Sequence, residues 1–159
     1  AAGIGDSLWA VQTTGCQIAA GNNEACFRAI RFGVAPTTSG FQAPLAEQAT
    51  VGLGSDNFLW MPSIAATNSA RIGLAVHLSS ATLQPGSGFL TKIPGSAGFS
   101  PLGVLRSGTC SRGGSSFKSG DYSGAQADPD GAGIWLGGEN FGTVNGSCNW
   151  QTAIVRVSP

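Results

Sequence analysis

"FLWMPSIAATNSARIGLAVHLSS", residues 58–80, sets out a plan that returns further along the chain as "SGDYSGAQADPDGAGIWLGGENF", residues 119–141. Each copy has an aromatic or acidic lead-in, a strand of small residues, a short polar turn, and a more hydrophobic strand ending in polar residues. Two such hairpins, about sixty residues apart, stand at the long end of the spacing of propeller blades, which usually repeat at about forty to fifty. They read as the inner strands of successive blades.

Outward from these copies the chain stays β in character. Helical periodicity shows only as a hint in "APLAEQATVGLG", 43–54, which breaks into glycines. Strands are expected at 7–14, 25–34, 46–52, 62–68, 70–80, 88–94, 101–108, 124–129, 133–140 and 150–158, with turn residues between them at the spacing of a meander. Cys26, Arg28 and Ile30 should face one way and Phe27, Ala29 and Arg31 the other. Near the end, Ala153, Val155 and Val157 should oppose Thr152, Ile154 and Arg156. Faces of mixed polarity suit sheets stacked between neighbours. The fold class is therefore all-β, with propeller-like blades of antiparallel strands: two full blades and most of a third, in segments of about 7–56, 58–108 and 119–159. A β-sandwich is the alternative. All 159 residues fit a single domain or a propeller fragment.

Composition narrows the function. Charged residues make up 10% of the chain and eight basic side chains balance eight acidic ones, which removes the field that would draw nucleic acid or an anionic membrane. No apolar run reaches the length of a membrane span. Few lysines and glutamates, 25 glycines and four cysteines without a Cys-x-x-Cys pair suggest an exported, disulfide-bonded protein. The first residues, AAGIGDSLWAV, lack the basic start and long apolar segment of a signal peptide. Four cysteines allow three pairings. A hairpin with a long polar tip at 13–29 would place Cys16 opposite Cys26, leaving Cys110 for Cys148, and this choice keeps each bridge local.

The motifs Pro62-Ser63-Ile64, Gly120-Asp121-Tyr122-Ser123, Asp128-Pro129, Ile134-Trp135 and Trp150-Gln151-Thr152 occur in an order that resembles the last blades of secreted bacterial β-propellers of the sialidase-like superfamily. The resemblance covers residues 7–159 and is strongest from 58 onward. It departs from the family at Ser119, where a bulky residue is usual, and it lacks the Ser-x-Asp-x-Gly-x-Thr-Trp box. It implies a catalytic trio, Asp121 and Tyr122 with Glu139, in which Tyr122 is the nucleophile and Glu139 its base. A full site would also need an arginine triad and a further aspartate from blades that this chain does not contain.

Each candidate site has a structural counterpart. Asp121 can bond turn amides while Tyr122 packs its ring. Asp128 and Asp130 can offer oxygens to Ca2+, or can belong to an Asp-Pro turn closed by Gly131. His77 can be a general base, but without a serine elbow it reads as a hydrogen-bonded residue at a blade edge. Trp9 and Trp60, near strand starts, are the tryptophans expected to be exposed for stacking on sugars. The leading function is a secreted, non-catalytic module that presents loops for binding or assembly. The alternatives are an oligomeric glycan-binding lectin and a sialidase-type glycoside hydrolase completed by another chain. The expected partners are copies of itself or the remaining part of a larger propeller, with glycans next; nucleic acid and membrane insertion are not expected.

Overall fold

A computed structural model describes residues 2–4, 6–17, 23–54, 56–111 and 122–159. The protein is all-β, with no α-helix among the described residues. The strands are β1 (Ala2–Ile4), β2 (Ser7–Cys16), β3 (Glu24–Gly33), β4 (Ala35–Thr37), β5 (Gly40–Gln42), β6 (Leu45–Val51), β7 (Phe58–Ala66), β8 (Ile72–Ser79), β9 (Gly86–Lys92), β10 (Gly103–Arg106), β11 (Gly124–Ala127), β12 (Ile134–Val144) and β13 (Ser147–Val157). All pairings are antiparallel. They build a first sheet β1-β2-β3-β6, a middle sheet β10-β9-β8-β7, a third sheet β11-β12-β13, and the small hairpin β4-β5.

The first and third sheets cover opposite faces of the middle one, an arrangement that both a propeller and a layered sandwich accommodate. β8 shows why. Its residues 72–78 are all buried, so both faces of the strand have neighbours. Ile72, Leu74, Val76 and Leu78 join Trp9, Phe27 and Ala29 of the first sheet in one apolar cluster. On the other face, Ala75 packs with Ile134 and Leu136 of the third sheet. A strand buried on both faces reads as a near-continuous apolar run, as "IGLAVHL" does apart from His77.

A bulge in β7 tunes this packing. Trp60 pairs with His77 and Ser63 with Ala75, so β7 carries one residue more than β8 between those pairs. The extra residue lets Leu59 and Ile64, five positions apart, both reach the cluster against the first sheet. Met61 takes a φ of 46° there, and Pro62 is tolerated because β7 is the edge of its sheet. The two echoed hairpins lie against each other. Asn68, in the β7–β8 turn, packs so closely on Gly131, in the β11–β12 turn, that a Cβ at Gly131 would fall 2.4 Å from its amide nitrogen.

The alternation expected for β3 and β13 is present. Phe27 and Ala29 face the middle sheet, as do Val155 and Val157, while Ile154 is 70% exposed. Two disulfides, Cys16–Cys26 and Cys110–Cys148, close the β2–β3 hairpin and join the segment after β10 to β13.

Candidate functional site

At one end of the layer between the first and middle sheets lies a cavity of about 490 Å³, lined among others by Trp9, Arg31, Glu47, Ile72, Lys92 and Ile93. The strands fix its charged groups. Arg31 follows Phe27 and Ala29 on the inward face of β3, Glu47 stands opposite it on β6, and Lys92 ends β9 two residues after buried Leu90. Carrying the inward face one step past the apolar cluster therefore brings three charges together at its rim.

Glu47 is shared. Its Oε2 accepts from Nε of Arg31 at 3.3 Å and its Oε1 from Nζ of Lys92 at 3.1 Å. Lys92 is buried and also donates to the carbonyl of Ser96 at 2.6 Å. That carbonyl is presented by the turn Ile93-Pro94-Gly95-Ser96, where the Ser96 amide donates to the Ile93 carbonyl and Gly95 has a φ of 81°, the pattern of a type II turn. Two cations facing one carboxylate leave a formal charge of one positive unit beside an apolar wall. The terminal amino groups of Arg31 make no hydrogen bond among the described residues, so its fork is free to grip a carboxylate.

The residues expected from the sequence lie elsewhere or serve other purposes. Asp121 falls outside the described residues. Tyr122 does not pack its ring: the side chain is 76% exposed, and it is the backbone that is held. Its carbonyl accepts from Nε2 of His77 at 3.0 Å, which fixes the proton on that nitrogen, and the neighbouring Ser123 hydroxyl donates to the Met61 carbonyl. Glu139 is buried on β12 opposite Thr152, and no hydrogen bond joins it to Tyr122 among the described residues. His77 sits on the interior strand β8, not at a blade edge, buried and stacked on Trp60 with ring centroids 5.9 Å apart.

The tryptophan expectation is corrected. Trp9 is only 5% exposed, because the inward face of β2 carries it into the core. Trp60 is half-buried against His77. Trp135 and Trp150 are the exposed pair, both on the outer face of the third sheet, although Glu139 and Phe141 of that same face are buried.

Asp128 and Asp130 form a turn clamped by Arg156. Nε of Arg156 donates to Oδ2 of Asp128 at 2.5 Å and its Nη2 to Oδ2 of Asp130 at 2.6 Å, while Trp135 Nε1 adds a bond to Asp128 at 3.2 Å. The Asp130 carboxyl is held below its ordinary range, first by the amide of Ala132, against a smaller opposing effect of burial, and then by Arg156. The hydrogen bond to Asp128 leads in raising Arg156 further. A calcium ion would have to displace a guanidinium from both aspartates. Among the described residues the one cluster of potential metal ligands is Cys16, Glu24 and Cys26, and there the two sulfurs are bonded to each other.

Comparison with family models, curated proteins and solved structures found no match to this chain.

Proposed function

We propose that the chain is a secreted, non-catalytic binding module and that the cavity between its first and middle sheets takes a small ligand carrying a carboxylate or similar anion on an apolar body. The observation that carries this reading is the unengaged fork of Arg31 beside Trp9, Ile72 and Ile93 in a cavity with an excess positive charge. Pockets that combine an apolar wall with a few convergent polar groups are the usual form of small-molecule sites. The exposure of Tyr122, the burial of Glu139 and the absence of a hydrogen bond between them among the described residues favour binding over a hydrolytic reading. Two disulfides support export.

Matched probes test the cavity: benzoate against benzamide, and glucuronate against glucose, by ligand-observed NMR. Acids should bind and their amide or neutral counterparts should not, and Arg31→Gln should abolish the difference. Equal binding of acid and amide, or binding of neither, overturns the reading.

Assembly is the second part of the proposal. Leu8, Phe32 and Leu45 are consecutive cross-strand partners on the outer face of the first sheet, and Leu8 and Leu45 are exposed there. Further copies, or the remaining part of a larger propeller, would cover this row. Light scattering that returns a single-chain mass at micromolar concentration counts against it.

A further inference from the structure

We infer that the protein has a second, independent site, a saccharide-binding groove at the free edges of β10 and β13, with the indole of Trp150 as its platform. β13 ends the third sheet and β10 ends the middle one, so no strand among the described residues covers either edge. Between them runs an open groove of about 710 Å³ that wraps the β13 edge, lined among others by Leu105, Arg106, Asn140 and Gln151 on the inward side of β13 and by Trp150 and Thr152 on its outer side. It lies apart from the cavity of Arg31 and shares no lining residue with it.

The chemistry of the lining suits a sugar. Trp150 is 58% exposed, so much of its indole is open to the solvent. The flat carbon–hydrogen face of a pyranose packs well on such a ring, which is large, rigid and apolar. Hydroxyls around the sugar's rim then need partners of both kinds. Nδ2 of Asn140 donates to Oε1 of Gln151 at 3.2 Å, which orients the Gln151 amide and leaves its Nε2 to donate outward. That orientation requires a glycine at 142, where a Cβ would lie 2.3 Å from Oε1 of Gln151. The Thr152 hydroxyl and the Arg106 guanidinium add an acceptor and further donors.

A second observation points the same way. Asn140 is 2% exposed and its Oδ1 has no hydrogen-bond partner among the described residues. An unpaired buried acceptor is costly, of a kind retained at working sites. A hydroxyl donated from the groove would satisfy it.

Cellotriose and chitotriose are suitable probes, with binding followed by tryptophan fluorescence and saturation-transfer NMR. At least one should give a saturable response in the millimolar range or tighter. Trp150→Ala should weaken it at least tenfold, while Trp135→Ala, on the same sheet face but outside the groove, should leave it unchanged. Gln151→Ala should weaken it several-fold. Thermal melts of each variant establish that the fold is intact, and Trp150→Phe, which retains an aromatic face, should recover part of the affinity. The inference is overturned if neither sugar binds to the wild-type chain, or if folded Trp150→Ala binds as wild type does. Because Arg31→Gln leaves this groove untouched, failure at the cavity and failure here are separate results.

Discussion

Arg156 donates from Nε to Oδ2 of Asp128 at 2.5 Å, and through that contact the last strand holds the turn that leads into β12. The guanidinium can lie there because Gly133 is bare: a Cβ at that position would stand 2.6 Å from Cζ of Arg156. Asp130, held by the same side chain, has its carboxyl lowered from the ordinary 3.8, with the Ala132 amide the largest single cause and Arg156 acting both through its charge and through its hydrogen bond.

The first prediction follows from that order. A carboxyl whose folded value is lowered stabilises the fold above its unfolded value and loses that contribution as pH falls through the folded one. The melting temperature should therefore drop as pH falls below about 4. Asp130→Asn should lack this part of the drop. Arg156→Ala should keep part of it, since the Ala132 and Gly133 amides remain. Thermal melts across the acid range decide the matter, and loss of the whole effect in Arg156→Ala would show that the ion pair dominates.

The second prediction concerns a close approach of the middle and third sheets. A Cβ at Gly138 would stand 2.5 Å from Cβ of Ser87, which is fully buried. Gly138→Ala should cost about 1–3 kcal/mol through overpacking, and adding Ser87→Gly should return part of it. Ser87→Ala alone should be neutral or slightly stabilising, because it deletes a buried hydroxyl that has no hydrogen-bond partner among the described residues. Urea midpoints of the variants and the double mutant measure all of these.

Much of the architecture was legible in the sequence because strand alternation is local. "TAIVRV" reveals its inward and outward faces without reference to any neighbour, and β13 obeys that pattern. The tight turn at Asn145-Gly146, with φ of 50° and 74°, is equally legible from the Asn-Gly pair, yet the strands expected at 133–140 and 150–158 fall short of the β12–β13 hairpin, which continues to that turn. The bulge at Met61 was not legible, since it exists only relative to β8. The cavity was hidden for a similar reason. Arg31, Glu47 and Lys92 sit on three strands remote in sequence, and each alone reads as a polar residue on a mixed face. Trp9 was misplaced because nearness to a strand's start says nothing about which face is buried.

The third prediction separates the disulfides. Cys110–Cys148 closes 38 residues and Cys16–Cys26 closes 10. Chain-entropy arguments give about 4 kcal/mol for the longer loop and about 3 for the shorter. Cys110→Ser with Cys148→Ser should lower the melting temperature more than Cys16→Ser with Cys26→Ser. Calorimetry of the two double variants tests this, and the reverse order would mean that local packing around the hairpin outweighs loop length.

The last prediction uses the asymmetry of the Glu47–Lys92 pair. The Lys92 side chain is 7% exposed and that of Glu47 is 31% exposed, so the cation has far less access to water. Removing the partner of a buried charge costs about 3–5 kcal/mol when both are enclosed, and the partial exposure of Glu47 brings the expected loss for Glu47→Ala to about 2 kcal/mol. Lys92→Met removes the buried charge instead. It fills the same space with an apolar chain and leaves Glu47 paired to Arg31, so its cost should stay within about 1 kcal/mol. Denaturant midpoints of the two variants should differ in that direction. If Lys92→Met proved as costly as Glu47→Ala, the ammonium would be a net stabiliser through its bond to the Ser96 carbonyl, and the 93–96 turn would depend on it.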